Sequence, residues 1–500
     1  MIASTGCPQT TSGILDPKRW GLPLAAVADL GQSLHACWVR YHDCFTTKTR
    51  DTSSLALVYL RGLLLLPNER NYANIARRIV GLHDDGQNLQ QFMSDSPWQG
   101  ARVFAQIQQD ICQRPDLHGG VLSLDESADA RAGEQSAGAA RQYNGRLGKT
   151  DVCQVGVALS YSLNKTWIFV DAELYLPKHW FDLDHTKLRK QLHIPVESTF
   201  RTKPQIGLKL IRQAKARGLP FAVVACDAVY GRDGAFRAEL DRDGIIYIAD
   251  IPNNYQVYVS APLMGVPEAK PGQRGRQPWL PRVLSTEKPV EVCSLIPGEL
   301  AWEVIRVRGC ERGHVDVTCW RRRVWVVTEQ GQVREEWLFL HRESDGSIRY
   351  SLSNAGVEMP LAQLAEWRSE RYYVERTFQD SKSELGWDEL EARKYRAWTH
   401  HTALDALALW FITSARLDWA MRHPRDKDLA AELKVEQLPQ LSVANMRELL
   451  AAVLPLRQLT PEQATELVIQ HLCNRARSTS SRLHKVLASD LSDDLLRTPP

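Results

Sequence analysis

The sequence lacks the features that mark several common classes of protein. Its ten cysteines are scattered and none belongs to a Cys-x-x-Cys pair, so we expect reduced thiols in the cytosol rather than a zinc ribbon or a disulfide framework. The longest apolar run, Leu55–Leu66, is interrupted by Arg61 and is too short to cross a bilayer. The N-terminus also has no basic-then-apolar signal pattern, so we expect no membrane or export segment.

Net charge is another property of which the chain has little. Its 62 basic and 59 acidic residues leave a formal charge of +3 over 500 residues. This is far below the excess of a histone-like protein, so any binding to nucleic acid must use local basic patches. Hydrophobic residues make up 44% and charged residues 24% of the chain, which is typical of a globular protein with roughly three or four structural units.

Residues 1–115 are predicted to be mostly helical, because apolar residues recur there at three- and four-residue spacing. The predicted helices are Ser54–Leu66, Glu69–Leu82 and Gly86–Phe92. Basic residues lie within the second of them at Arg70, Arg77 and Arg78. Short basic helices of this kind suit a small DNA-binding module, and an ordinary helical cap on the core is the alternative.

An α/β pattern follows over residues 116–254. The apolar runs Gly120–Leu124, Val152–Ser162 and Thr166–Leu174 predict an antiparallel set of strands. The next predicted elements are a helix at Lys203–Arg217, a strand buried on both faces at Pro220–Cys226, a helix at Gly234–Asp241 and a strand at Ile245–Ile248. We therefore expect a mixed sheet flanked by helices.

Residues 255–357 are predicted to form a β-rich insertion that splits this core. Its predicted strands are Ala301–Val307, Val315–Cys319, Arg323–Thr328 and Glu336–Leu340. The segment Pro262–Arg282 carries Pro, Gly, Lys and Arg without periodicity, which indicates an exposed basic loop.

Helices return after the insertion. Residues 358–422, the second part of the core, hold the two strongest helical signals, at Leu361–Leu385 and Ala397–Met421. Residues 423–500 form a helical C-terminal region with a basic tail at Arg475, Arg477, Arg482 and Lys485. That tail is suited to a DNA backbone and equally to a solvated helix face.

Two aspartates follow predicted strands of the core directly. Asp125 comes after the first strand and Asp227 after Pro220–Cys226, where α/β sheets expose side chains at an edge. Glu375 lies on the later helix at Leu361–Leu385. At about 100° per residue, Arg371 four positions before it and Lys382 seven positions after it lie within about 40° of its direction. One helical face therefore carries a carboxylate between two cations.

Three carboxylates that converge would need cations to neutralise them. Oxygen ligands favour Mg²⁺ or Mn²⁺ over zinc, and two such ions roughly 4 Å apart can activate a water or a 3′-hydroxyl and stabilise the leaving oxygen of a phosphodiester. Arg371 and Lys382 are then predicted to bind DNA phosphates, the first as a fork and the second as a point charge. Any one acid alone is more typical of a turn, a cap or a surface ion pair, so the prediction depends on all three.

Three sequence blocks surround these acids. The first starts with Leu124-Asp125-Glu126-Ser127 and runs through Arg141-Gln142-Tyr143 and Gly148-Lys149 to Cys153-Gln154, the second is Asp227-Ala228-Val229-Tyr230-Gly231, and the third carries Arg371, Glu375 and Lys382. Together they resemble the DDE transposases of bacterial insertion sequences, in particular the group of insertion sequence 701 within the wider insertion-sequence-4 superfamily. Departures from the family pattern are Glu126, where a second Asp is usual, and Arg368, which stands at the tyrosine of the signature Tyr-x2-Arg-x3-Glu-x6-Lys.

The resemblance, which covers residues 55–415, implies an α/β RNase H-like core and dimeric, cut-and-paste transposition. It implies that Asp125, Asp227 and Glu375 are the catalytic and metal-binding residues and hold two Mg²⁺ ions, for which Mn²⁺ can substitute. The residues that we predict to contact DNA are Arg371, Lys382, Tyr230, Arg141, Lys149, Trp320 and Trp325. Each tryptophan is also suited to the core of its strand.

The implied partners are transposon-end DNA with terminal inverted repeats, target DNA, and a second copy of the chain in the complex with DNA. The implied location is the bacterial cytoplasm, at the nucleoid when the protein is bound to DNA. Two alternatives stay open from the residues alone. One is a transposase-derived DNA-binding protein, and the other is an RNase H-like nuclease without strand transfer.

Overall fold

The computed structural model describes residues 13–267, 279, 281–310, 313–343 and 345–496. Its N-terminal part consists of helices. They are α1 (Leu24–Ala28), α2 (Leu30–Tyr41), α3 (Ser53–Leu65), α4 (Tyr72–Ile79), α5 (Gln87–Ser94) and α6 (Gly100–Cys112). The predicted helices of this region are thus present, with boundaries shifted by a few residues.

Ten strands form one mixed sheet in the described part of the chain. They are β1 (Gly120–Ala130), β2 (Ala140–Asn144), β3 (Lys149–Leu163), β4 (Thr166–Leu174), β5 (Phe221–Cys226), β6 (Tyr247–Ile251), β11 (Glu303–Cys310), β12 (Gly313–Val327), β13 (Val333–Arg342) and β14 (Ile348–Ser353). Their order is β11-β12-β13-β14-β6-β5-β1-β3, and both β2 and β4 pair with the outer edge of β3. Strands β1, β5 and β6 are parallel and the other pairs are antiparallel. The predicted mixed sheet is confirmed.

The strands of the insertion extend the core sheet. Strand β14 pairs with β6, with Ser351 opposite Asp250, so core and insertion share one continuous hydrogen-bonded layer. The prediction of two strands within 315–328 is wrong, because β13 pairs with β12 without a break from Thr318 to Val327. The short strands β7 (Gln256–Val257), β8 (Met264–Gly265), β9 (Arg282–Val283) and β10 (Val290–Glu291) form two further antiparallel pairs. Most of the predicted basic loop lies outside the described residues.

The remaining helices flank the sheet or follow it. They are α7 (Thr186–Gln191), α8 (Lys203–Ala216), α9 (Ala228–Gly231), α10 (Gly234–Arg242), α11 (Leu361–Glu370), α12 (Tyr372–Ser383), α13 (Tyr395–Arg422), α14 (Leu429–Glu432), α15 (Val443–Val453) and α16 (Pro461–Leu496). The single long helix predicted at 361–385 is wrong, because it is divided into α11 and α12 at Arg371. None of the helices in the described ranges combines the length and apolar character needed to span a bilayer.

Helix α13 is the centre of the helical layer. It is buried over most of its length, and α3, α5 and α6 of the N-terminal region pack against it. Asp110 of α6 joins the two regions, because it accepts hydrogen bonds from Tyr41 Oη at 2.8 Å and Trp410 Nε1 at 3.0 Å. The N-terminal helices therefore share the main hydrophobic core with the sheet, as in the cap alternative.

Arg70 has a structural role. Its side chain is buried, forms an ion pair with Glu389 and donates a hydrogen bond to the backbone oxygen of Glu384 at 2.7 Å. The prediction that Arg70 belongs to a basic DNA-binding surface is therefore wrong for this conformation. Arg475 and Arg477 of the predicted basic tail are exposed on α16, and the side chains of Arg482 and Lys485 lie outside the described residues.

Candidate active site

Asp125 and Asp227 lie at the same height of two neighbouring parallel strands, β1 and β5. Leu124 of β1 lies opposite Cys226 of β5, and the two aspartates are the next residues along each strand. Asp227 follows the end of β5, as predicted. Asp125 lies inside β1, so its predicted position past the strand end is wrong. Strand β1 continues because its antiparallel pairing with β3 runs on to Ala130.

The segment after Asp227 explains the spacing of the second block. The Asp227 carboxylate accepts a hydrogen bond from Val229 N at 3.0 Å and so caps α9. A Cβ on Gly231 would lie 1.9 Å from the backbone oxygen of Asp250, so only glycine fits there. Tyr230, for which we predicted a DNA contact, is fully buried and donates a hydrogen bond to Glu126 Oε2 at 3.1 Å. It thereby helps to position Glu126 and is not exposed to DNA in this conformation.

The glutamines of the first block stabilise the loop between β1 and β2. Gln154 Nε2 donates to the backbone oxygen of Ala137 at 2.6 Å, and Gln142 Nε2 donates to that of Cys153 at 3.0 Å. Arg131 donates to the side-chain oxygen of Gln154. The glutamines of the Arg-Gln-Tyr and Cys-Gln motifs therefore help to hold the chain that follows Asp125.

Arg371 lies between the first and the third predicted acid. Its Nη2 is 3.6 Å from Asp125 Oδ2 and its Nη1 is 3.8 Å from Glu375 Oε1. Burial acts to lower the pKa of Arg371, but the nearby carboxylates, Asp125 foremost, raise it above its ordinary value. Arg371 is therefore a permanent cation that connects Asp125 to the helix of Glu375.

The two aspartates are partly buried carboxylates whose charges Arg371 offsets only in part. Burial is the largest cause that raises the pKa of Asp125 to about 7; Arg371 opposes the rise and Asp227 adds to it. Burial also raises the pKa of Asp227, again against the effect of Arg371. Both shifts mean that additional positive charge would stabilise the ionised carboxylates.

The donor set fits Mg²⁺ or Mn²⁺ in kind, because it consists of carboxylate oxygens. As the side chains stand, no cluster of three or more acidic, histidine or cysteine residues in the described chain is close enough to hold a metal ion. Arg371 lies between Asp125 and Glu375 instead. The Glu375 side chain is 64% exposed in the first turn of α12, so it is free to turn toward the aspartates.

A cleft of about 1020 Å³ opens beside these residues, between α11, α12 and the insertion strands. Asp227, Arg371 and Glu375 line it. So does Asp250 of β6, which the sequence prediction missed although it lies at the carboxyl end of a parallel strand, as Asp227 does. Asp250 Oδ1 accepts hydrogen bonds from Arg368 Nε at 2.9 Å and Ser351 Oγ at 2.7 Å.

Lys382 does not present a free cation to DNA in this structure. Its Nζ lies 2.5 Å from Asp129 Oδ1 and 3.1 Å from the backbone oxygen of Ala128, and in this ion pair Lys382 is largely covered and Asp129 is buried. A phosphate contact by Lys382 would require this pair to open. Asp129 is buried at this position.

The other predicted DNA contacts lie in two places. Arg141 and Lys149 are exposed at the ends of β2 and β3, beyond the end of β1. Trp320 and Trp325 are half-buried on β12, and Trp320 packs against a hydrophobic cluster of the insertion. Their contacts with DNA stay predictions.

Comparison with known proteins adds an independent finding. The model of a family described as DDE superfamily endonuclease matches residues 40–323, which is more than half of the chain and includes Asp125 and Asp227. The chain is also similar to a probable transposase for insertion sequence element IS701 from Microchaete diplosiphon, with 30% identity over 183 residues. That match covers 36% of this chain and 44% of the relative, so it spans less than half of either protein. The resemblance stated from the motifs is confirmed.

Proposed function

The chain belongs to the DDE superfamily of endonucleases, and on this premise we propose that it is a transposase that excises an insertion sequence and joins it to target DNA. The observation that carries the proposal is that Asp125 and Asp227 lie side by side at the same height of the neighbouring strands β1 and β5. Arg371 lies between Asp125 and Glu375. The likeness to a transposase of insertion sequence element IS701 supports it.

The proposed role of each acid follows from the secondary-structure element that holds it. Asp125 lies within β1, and Asp227 follows β5 and caps α9, so the backbone of both is held in place, while Glu375 lies on an exposed helical turn and is able to adjust. Two divalent ions, Mg²⁺ or Mn²⁺, when bound by these carboxylates, would supply an activated water or 3′-hydroxyl and stabilise the leaving oxygen. Arg371 is then free to bind a DNA phosphate as a fork.

The proposed partners are the terminal inverted repeats of the element, target DNA and a second copy of the chain. We assign end binding to residues 1–115 together with basic surfaces of the core. The other proposed units of the chain are the two parts of the core at 116–254 and 358–422, the insertion at 255–357 and the C-terminal region at 423–500. Because the described helices α2–α6 of this region share a hydrophobic core with α13, they extend the catalytic body.

The test combines the purified chain with Mg²⁺, labelled duplexes that carry the element ends, and a target plasmid. We expect cleaved ends and joined products with the wild type, and neither with Asp227→Asn or Glu375→Gln, which should still bind the ends. Glu366→Gln, an exposed carboxylate on α11, is the matched control and should act like the wild type.

The outcomes separate the alternatives. Cleavage without joined product would favour a nuclease without strand transfer. End binding with neither product, in the wild type as in Asp227→Asn, would favour a transposase-derived DNA-binding protein and overturn the proposal.

A further inference from the structure

One face of the insertion strands turns polar residues toward the cleft. Antiparallel pairing places His341 of β13 opposite Arg349 of β14, and Ser351 opposite Asp250 of β6. Because residues two apart on a strand share a face, these side chains lie on one side of the sheet. This is the side on which Phe339 packs with α11, the helix that carries Arg368.

Two arginines lie on this side, one hydrogen-bonded to a carboxylate and the other in a looser ion pair. Arg368 is bound through Nε to Asp250 at 2.9 Å, and Arg349 approaches Glu343 through Nε at 3.8 Å. Among the described residues neither has a partner on its terminal nitrogens. The carboxylate of Asp250 on Nε fixes the direction of the Arg368 guanidinium, and in both arginines the terminal nitrogens remain for another acceptor.

His341 supplies an independent sign of a missing partner. It is 9% exposed, lines the cleft, and its Nδ1 has no hydrogen-bond partner among the described residues. The nearest acidic oxygen, Glu343 Oε1, is 3.7 Å away. A buried ring nitrogen without a partner costs free energy, and in the tautomer that carries the proton on Nδ1 this position is suited to an added acceptor.

We infer that Arg368, Arg349 and His341 form a phosphate-binding subsite on the insertion side of the cleft. Its ligand is a phosphodiester of the DNA strand, next to the bond on which Asp125, Asp227 and Glu375 act. The inference rests on the proposed function and adds to it a second attachment of the same strand. The two cations of the subsite are balanced by the carboxylates of Asp250 and Glu343, so the diester would be held by hydrogen bonds from the terminal N–H groups of the arginines and not by an excess of positive charge.

The experiment measures binding of the full-length chain to end duplexes without divalent metal, so that no cleavage occurs. Single uncharged methylphosphonates replace each phosphate in turn near the end. The variants are Arg349→Ala, whose side chain is 61% exposed, and Arg368→Ala combined with Asp250→Asn, which leaves no unpaired carboxylate. Arg242→Ala is the matched control, because Arg242 is 65% exposed, is paired with Glu239 and lies on α10 outside the cleft lining.

Each variant of the subsite should bind the ends roughly tenfold more weakly, as expected when a hydrogen bond to a charged group is removed. Its salt dependence, the slope of log K against log [salt], should fall in magnitude by about 0.9 for each phosphate that the variant no longer binds. The methylphosphonate position that weakens the wild type most in this region should have no further effect in the variant. Arg242→Ala should match the wild type throughout.

The failures of the two proposals are distinguishable. If the wild type binds the ends and Arg349→Ala retains the wild-type slope and methylphosphonate profile, the subsite is overturned and the transposase proposal stands. If the double variant does not fold, Arg349→Ala alone decides. If the wild type does not bind the ends at all, the proposed function fails and the subsite with it.

Discussion

The guanidinium of Arg371 lies 3.6 Å from the carboxylate of Asp125, although the two residues are on elements separated by the whole insertion. The same guanidinium is 3.8 Å from Glu375. One partly buried cation therefore reduces the repulsion between acids that the fold brings together. It does so incompletely, since the pKa of Asp125, raised mainly by burial, is still about 7.

Divalent metal should therefore stabilise the native protein even without DNA. Binding to the folded state alone adds about 2.7 kcal/mol to the free energy of unfolding at a free-ion concentration of 100 Kd. We expect Mn²⁺ or Mg²⁺ to raise the Tm of the wild type in a thermal unfolding scan, and removal of the ion with a chelator to reverse the rise. The double variant Asp125→Asn, Asp227→Asn should show no rise, and an equal rise in that variant would place the metal elsewhere.

Lys382 should prove necessary for stability as well as for any contact with DNA. Removal of one member of a buried ion pair leaves an uncompensated charge and costs roughly 3–5 kcal/mol. We expect Lys382→Met to lower the free energy of unfolding by that amount in urea titrations without DNA, because Asp129 is left alone.

Two variants complete this test. Lys149→Met changes an exposed lysine of β3 and should stay within about 0.5 kcal/mol of the wild type. Lys382→Met combined with Asp129→Leu should recover a large part of the stability. A stable Lys382→Met protein would instead assign this lysine to DNA alone.

Local sequence patterns were sufficient to predict most of the strands, but they did not predict the environment of the charged residues. Thr166–Leu174 is a strand with the predicted bounds, because alternation and apolar content act over a few residues. Periodicity did not predict the division between α11 and α12 at Arg371, and the approach of its guanidinium to Asp125 arises only in the folded chain. Asp250 was missed because its importance comes from Arg368 and Ser351, which reach it only in the folded sheet.

Gly231→Ala should disturb the site without changing any charged group. The new methyl group would lie 1.9 Å from the backbone oxygen of Asp250, so α9 and β6 must move apart. Overpacking of this kind costs typically about 1–3 kcal/mol. We expect a lower Tm and, in the folded fraction, weaker end cleavage, because Asp227 caps the displaced helix.

Gly234→Ala is the matched control for that substitution. The nearest atom to its added Cβ is Tyr255 Oη at 3.9 Å, an ordinary contact distance. This variant should keep the Tm and the cleavage of the wild type. If both variants retain wild-type Tm and cleavage, then contact between α9 and β6 does not position Asp227.

His401 should make the free energy of unfolding fall in acid. Burial is the main cause that lowers its pKa from 6.5 to about 4, and the neutral ring accepts a hydrogen bond from Tyr59 Oη at 2.9 Å while Nε2 faces the backbone oxygens of Gly386 and Trp387. Because the unfolded chain takes up this proton more readily, the stabilisation is complete above about pH 6.5 and disappears as pH falls toward 4. The full decrease is about 3 kcal/mol.

Urea titrations across this range should show a smaller decline for His401→Asn than for the wild type, whereas His83→Gln, at an exposed site, should follow the wild-type curve. Parallel curves for all three proteins would mean that His401 has the same pKa in the folded and unfolded chain.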